Sequence, residues 1–176
     1  MSRAGPDAEF RQALIREAPY LRRFARALLR DAALSDDLVQ DTLERAISRH
    51  QQFDKSRAMR PWLLRMLRNL AISQFRASAR HGVALHLDTV DETGIAPTPD
   101  ASPVLMLRDI SSALQALPLE QREVLVLVAL EGMKYREVVD VLNVPIGTVM
   151  SRLSRARERL RELLQYPETK SIRRIK

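Results

Sequence analysis

"YREVVDVLNVPIGTVMSRLSRARERL", residues 135–160, contains the outline of a short helix, a tight turn and a longer second helix. Val138, Val139 and Leu142 give the first segment an apolar side, and a tight turn is expected at Asn143 to Pro145. After the turn, Val149, Leu153, Ala156 and Leu160 recur at helical spacing and predict a buried stripe. Thr148, Arg152, Arg155 and Arg159 line one flank of that stripe, and Gly147, Ser151, Ser154 and Glu158 the other. Together these features predict a helix-turn-helix, with the flanks of its second helix facing DNA. Gly147 and Pro145 would let the N-terminus of that helix approach a phosphate. Spacing alone also admits a solvated amphipathic helix whose arginines keep the protein soluble.

Charge favours the first reading. Lys and Arg number 29 against 22 Asp and Glu, giving a formal charge of +7 and a pI near 10.5, the balance of a protein that meets a polyanion. There is no Cys, and His50, His81 and His86 share no ligand-like spacing, so neither a disulfide nor a metal site is expected, and no cofactor. The longest strongly apolar run, Val124 to Leu130, is far shorter than the roughly 18 residues a membrane span needs. The N-terminal "MSRAGPDAEF" lacks the apolar segment of a secretory signal. A cytoplasmic protein without membrane insertion of its own is expected.

Outward from the opening stretch, the pattern is helical almost everywhere. Phe10, Leu14, Leu21, Ala25 and Leu28 recur at helical spacing, with Pro19 predicting either two short helices or one kinked helix up to Arg30. "LSDDLVQDTLERAI" follows with Ser35 as the expected N-cap and Leu38, Thr42 and Ala46 on one face. A third helix is expected from Pro61, with Trp62, Met66, Leu70 and Phe75 inward. Between Ala77 and Leu107, Gly82, Gly94, Pro97, Pro99 and Pro103 interrupt any period, and Asp88, Asp91, Glu92 and Asp100 make the stretch acidic, which predicts a linker. Helices are expected again over about 107–116, 118–131 and 135–142, with Pro118 as an N1 residue and Gly132 as a C′ residue, and then from the opening stretch to about Leu164. The expected fold is all-α: two small helical domains, 9–79 and 107–166, joined by a flexible linker over 80–106 and followed by a basic tail over 167–176.

In the first domain Asp37, Gln40, Asp41 and Glu44 fall at i, i+3, i+4 and i+7, one polar face opposite Leu38, Thr42 and Ala46. Four acidic or amide groups on a basic protein call for a partner. An ordinary solvated face is the plainer reading, and a carboxylate metal site is weaker because no second carboxylate helix converges on it.

"LPLEQREVLVL" followed by "YREVVDVLNVPIGTVMSRLSRARERLRELL" resembles the second domain of the extracytoplasmic-function sigma factors, and "DDLVQDTLERA" and "PWLLRMLRNLA" resemble the first. The resemblance spans roughly residues 9–164 in order. It implies a bipartite transcription initiation factor rather than an enzyme. Its first domain would dock on core RNA polymerase and capture the separated minus-ten element, and its second would read the minus-thirty-five element as duplex. The implied partners are the beta-prime clamp and beta flap of the polymerase, promoter DNA and an anti-sigma factor. Residue by residue, the resemblance places Asp37, Gln40, Asp41 and Glu44 at the clamp. Asn69, Ser73, Arg76 and Arg80, on one face of the third helix, fall at the minus-ten strand, with the loop "QQFDKSRAMR" able to pocket an unstacked base. Thr148, Met150, Ser151, Arg152, Ser154 and Arg155 fall at the minus-thirty-five element. Trp62 is read as core rather than as a stacking platform.

Three positions depart from the family's habit: Ser73, where Asp is common; Met150, where a basic residue is common; and Val139, where Ala is usual. Met150 would remove one phosphate contact but could meet a thymine methyl. The competing reading is a sigma-like decoy that binds an anti-sigma factor without touching promoters. A plain helix-turn-helix repressor would leave the acidic helix and the linker unexplained.

Overall fold

The computed structural model describes residues 7–29, 31–80 and 103–165, with side chains described except at 78–80, 103–108 and 165. Seven α-helices and one 3-10 turn account for most of these residues: α1 Ala8–Leu28, α2 Ala32–Ser48, the 3-10 turn His50–Gln52, α3 Met59–Arg80, α4 Pro103–Gln115, α5 Leu119–Ala129, α6 Tyr135–Leu142 and α7 Ile146–Gln165. Residues 81–102, most of the expected linker, and the basic tail 167–176 lie outside the described residues.

α1 opens on Asp7, whose carboxylate accepts from the Phe10 amide at 2.7 Å; that bond and then Lys55 hold its carboxyl below the usual value. Pro19 stands inside this helix, so the two-helix alternative does not hold. The missing N–H would have met the Ile15 carbonyl, and both Pro19 and Ile15 lie on the solvent side, where water can satisfy that carbonyl. Leu21, Phe24 and Ala25 on the opposite face are fully buried.

α2 is capped by Asp31, which accepts from Leu34 N–H at 2.9 Å, and not by Ser35. Ser35 is buried one turn further in, donating to the Asp31 carbonyl at 2.7 Å, because the earlier carboxylate reaches the free amides first. Leu38, Thr42 and Ala46 are buried as expected. α3 begins at Met59, two residues before Pro61, which a first turn tolerates. Its inward face is Leu63, Leu64, Leu67 and Ala71, rotated from the expected one. Trp62, Met66 and Leu70 pack at the core margin, and only Phe75 of the expected four is buried. The rotation gives α3 three neighbours, α1 and α2 on one side and α6 on the other.

α4 starts at Pro103, four residues before the expected helix. α5 is preceded by Pro118 as its N-cap. It stops at Ala129, and Gly132, at φ +66°, turns the chain so that Met133 N–H reaches the Leu127 carbonyl at 3.0 Å. Asn143 turns α6 into α7 at φ 54°, ψ 49°, and the Pro145 carbonyl accepts from Thr148 and Val149. Val138, Val141 and Leu142 of α6 bury with Val149, Leu153 and Ala156 of α7, completing the helix-turn-helix.

The two halves of the chain share one core, with α1 against α5 and α3 against α6. Their seam is polar. Arg23 donates to Glu131 at 3.0 and 2.9 Å, and Arg68 donates to Glu123 at 2.8 Å. Arg122, itself buried, donates to the Ala27 carbonyl at the end of α1, at 3.2 Å, while also bonding the Leu117 carbonyl and Gln115. Gln115 in turn donates to the Arg26 and Ala27 carbonyls at 3.2 and 3.4 Å. The orphaned acceptors at the end of α1 are thus satisfied by the second half of the chain.

Candidate nucleic-acid interface

Three surfaces follow from this arrangement. On α2, Asp37, Gln40, Asp41 and Glu44 are all exposed, as the spacing predicts. Gln40 donates to Glu44 at 3.0 Å, tying the face together along one turn. Asp36, immediately before it, belongs to a different cluster, bridging Arg22 at 3.0 Å and Arg26 at 4.0 Å on α1. The remaining carboxylates point away from the protein.

The second surface runs along α3. Asn69, Ser73 and Arg76 are exposed on one stripe, and Arg80 ends the helix with its side chain outside the description. One turn before Asn69 the same stripe begins at Arg65, which faces a cleft of about 520 Å³ together with Phe53, Arg57 and Trp62. The cleft floor is aromatic: Trp62 lies 5.1 Å from Phe53, ring centre to ring centre, and is backed by the buried ring of Phe10 at 6.4 Å. Asp54 fixes the rim, accepting from Ser56 N–H at 2.9 Å and from its hydroxyl at 2.7 Å, which holds the Asp54 carboxyl below its usual value. Trp62 packs against the core and also lines the cleft. The loop places Arg57 here, and Arg65 is a residue that periodicity could have found, four positions before Asn69.

The third surface is the outer face of α7. Met150, Ser151, Ser154 and Arg155 are exposed, and Thr148 is partly so. Gly147 is open, with nothing within 4 Å of an added Cβ. Arg152 is different: it turns toward α5 and pairs with Glu120 at 2.6 Å, leaving only 17% of its side chain accessible. Arg155, Arg157, Arg159 and Arg161 remain on the exposed side. Tyr135, at the start of α6, borders the same surface beside Met150 and Ser154 and escaped the helix-periodicity argument because it precedes the apolar pattern.

Below these surfaces lies a buried acid. Glu123 is 1% exposed; burial pushes its carboxyl above the usual value, and Arg68 only partly offsets that. Among the described residues no group of His, Cys, Asp and Glu could hold a metal ion, and no helix is long and apolar enough to cross a membrane.

A helical half with an exposed acidic face and an aromatic, arginine-rimmed cleft, joined to a helix-turn-helix with a basic outer face, defines a two-part DNA-binding protein. Residues 107–160 match the family described as Sigma-70, region 4, and residues 14–68 match the Sigma2 domain of PhyR. The ECF RNA polymerase sigma factor EcfG of Rhodopseudomonas palustris is 34% identical over 154 residues, covering 88% of this chain and 84% of that protein. The ECF sigma factor SigM of Mycobacterium tuberculosis is 33% identical over 169 residues, covering 94% and 82%. The solved structure of the sigma factor RpoE in complex with the anti-sigma factor NepR, from Bartonella quintana, superposes with a TM-score of 0.77 at 35% identity, over 91% of this chain and 99% of that one. The chain belongs to the extracytoplasmic-function family of RNA polymerase sigma factors.

Proposed function

We propose that the three surfaces divide the work of promoter-directed initiation. The acidic face of α2 docks on a basic helical surface of the polymerase clamp through charge-assisted contacts from Asp37, Asp41 and Glu44, with Gln40 filling the turn between. The α3 stripe, Asn69, Ser73, Arg76 and Arg80, holds the separated minus-ten strand, and the cleft of Phe53, Arg57, Trp62 and Arg65 takes a base turned out of it. The outer face of α7 reads the minus-thirty-five duplex through Thr148, Met150, Ser151, Ser154 and Arg155. Arg152 joins that set only by leaving Glu120, so its contribution is the smaller one. The polymerase supplies the chemistry of RNA synthesis; this chain supplies position and has no enzymatic role. It works where polymerase and DNA are, in the cytoplasm.

Control by an anti-sigma factor is part of the same proposal, supported by the RpoE–NepR complex that this chain resembles over nearly its whole length. The decoy reading draws on the match of residues 14–68 to a PhyR domain. It is the weaker one, because the relatives that span both halves are sigma factors and the basic outer face of α7 is intact. The observation that carries the proposal is the pairing, in one chain, of an unpartnered acidic helix face with an exposed basic recognition helix. The test is run-off transcription from genomic fragments by purified bacterial core polymerase, with and without this protein. Fragment-specific transcripts appearing only with the protein support the proposal; their absence, with an anti-sigma factor still bound, favours the decoy.

A further inference from the structure

α7 carries five arginines, and among the described residues only Arg152 has an ion pair. Its partner Glu120 belongs to "LPLEQREVLVL", a stretch with no task yet in promoter reading. Glu120 stands in the first turn of α5, where the free amides and the dipole of a helix N-terminus favour a carboxylate. It is exposed, whereas Arg152 is largely covered. Arg152 shares its flank of α7 with Thr148, four residues before it, and Arg155, three after, so its stem starts on the surface that faces duplex. The pair turns its guanidinium back toward α5. A second acid pulls the same way. Glu123, one turn on from Glu120, is buried, and its Oε2 has no hydrogen-bond partner among the described residues. Burial raises the pKa of Glu123, and Arg152 joins Arg68 in opposing that rise.

We propose that Glu120 is a positioning residue for duplex binding: by holding Arg152 against α5 it withholds one phosphate contact and limits the sequence-independent affinity of α7 for DNA. This rests on the reading of α7 as the helix that faces the duplex. A phosphate that takes Arg152 must break its pair with Glu120, so the gain is offset by the loss, whereas Arg155 has no such pair to give up. With the charge of Glu120 removed, the trade disappears. Phosphate carries no sequence information, so the effect falls on every duplex alike.

The test is fluorescence anisotropy of the full chain on a labelled mixed-sequence duplex of about thirty base pairs, at several salt concentrations. Four variants are compared with the natural chain: Glu120→Gln, Arg152→Gln, the two combined, and Arg155→Ala with Arg159→Ala. Glu120→Gln should tighten binding about threefold near about 0.1 M salt and steepen the slope of log affinity against log salt by about 0.9, one phosphate more. In the Arg152→Gln background the same change should leave the slope unaltered and tighten binding far less. Removing an acid raises the net charge in both backgrounds alike, so the difference between them isolates Arg152. Thermal unfolding checks each fold, and Arg152→Met, which keeps an apolar stem, replaces Arg152→Gln should the latter unfold. An unchanged slope for Glu120→Gln, or an equal gain in both backgrounds, overturns the proposal. Weaker binding with a lowered midpoint overturns it too, since the pair would then be a strut that sets the angle of α7. If Arg155→Ala with Arg159→Ala leaves affinity and slope unchanged, the reading of α7 itself fails, whatever Glu120 does.

Discussion

The Glu131 carboxylate is wholly buried and holds the guanidinium of Arg23 by two hydrogen bonds, at 3.0 and 2.9 Å, while nearly half of the arginine side chain faces water. The two partners are therefore unequal. Arg23 can be lost to solvent, but Glu131 cannot unless the chain rearranges. Arg23→Ala should destabilise the protein by about 1–3 kcal/mol, because it leaves a buried charge without its donor, whereas adding Glu131→Gln should recover part of the loss. Urea unfolding of the two variants checks this. Equal stability of Arg23→Ala and the natural chain would mean that the seam is already hydrated.

Charge reversal on α2 should separate docking from folding. Asp41 and Glu44 are exposed, and their changes to Arg should move stability by no more than about 0.5 kcal/mol while abolishing capture of core polymerase in a pull-down. Retention of polymerase by the double variant would remove this face from the interface.

On α7 the two DNA predictions have opposite signs. Arg155→Ala should reduce the slope of log affinity against log salt by about 0.9 if the contact is a phosphate, with all sequences weakened alike. If the contact is a guanine edge, the loss should be about 1–3 kcal/mol at one base pair of the minus-thirty-five element. Met150→Arg, adding charge at an exposed apolar position, should strengthen binding to every duplex. Anisotropy on promoter duplex at several salt concentrations, with the full chain and then the holoenzyme, reads both. Unchanged affinity, slope and base preference in both variants would leave α7 without a DNA role.

Glu123 gives the pH dependence. A carboxyl whose folded pKa is raised above its ordinary value binds its proton more tightly in the folded chain than in the unfolded one. Its contribution is complete below the ordinary glutamate value and is lost as pH rises through the raised one. Glu123→Gln fixes a neutral side chain at this position. The stability of this variant relative to the natural chain should rise as pH is increased above the ordinary glutamate value of about 4.3, and thermal unfolding as a function of pH measures it. A flat difference would show that Arg68 fully offsets the burial.

Two left-handed residues set the geometry of the second half. An added Cβ at Gly132 meets no atom within 4 Å, so Gly132→Ala should cost only the backbone term, about 1–2 kcal/mol. Asn143→Ala should cost a similar amount, and Asn143→Gly little or nothing. Thermal unfolding ranks the three; an unchanged midpoint for Gly132→Ala would show that the turn relaxes.

Where one side of an element is wet and the other dry, periodicity located it. The stripe Val149, Leu153, Ala156 and the polar face of Asp37 to Glu44 both stand where spacing placed them. α3 misled because it is apolar on nearly three sides: with Leu63, Leu64, Leu67 and Ala71 all available, spacing could not say which face the second half of the chain would leave at the margin. The pairing of Arg152 is illegible for a related reason, since only the approach of α5 brings Glu120 within 2.6 Å of it. The cleft was half legible. Its loop could be named, but Arg65 and the α6 residues Glu137 and Asp140 that line it depend on how the two halves meet, and no local pattern records that.

Gln115 and Arg122 grip the first half by the carbonyls of Arg26 and Ala27, atoms that every amino acid carries. A sequence can drift at positions 26 and 27 through many side chains without shedding these bonds. What inheritance must preserve lies instead on the other partner, at positions 115 and 122, where a single codon change removes the grip. Loss of this junction is therefore expected to arise by mutation at positions 115 and 122 rather than at the end of α1.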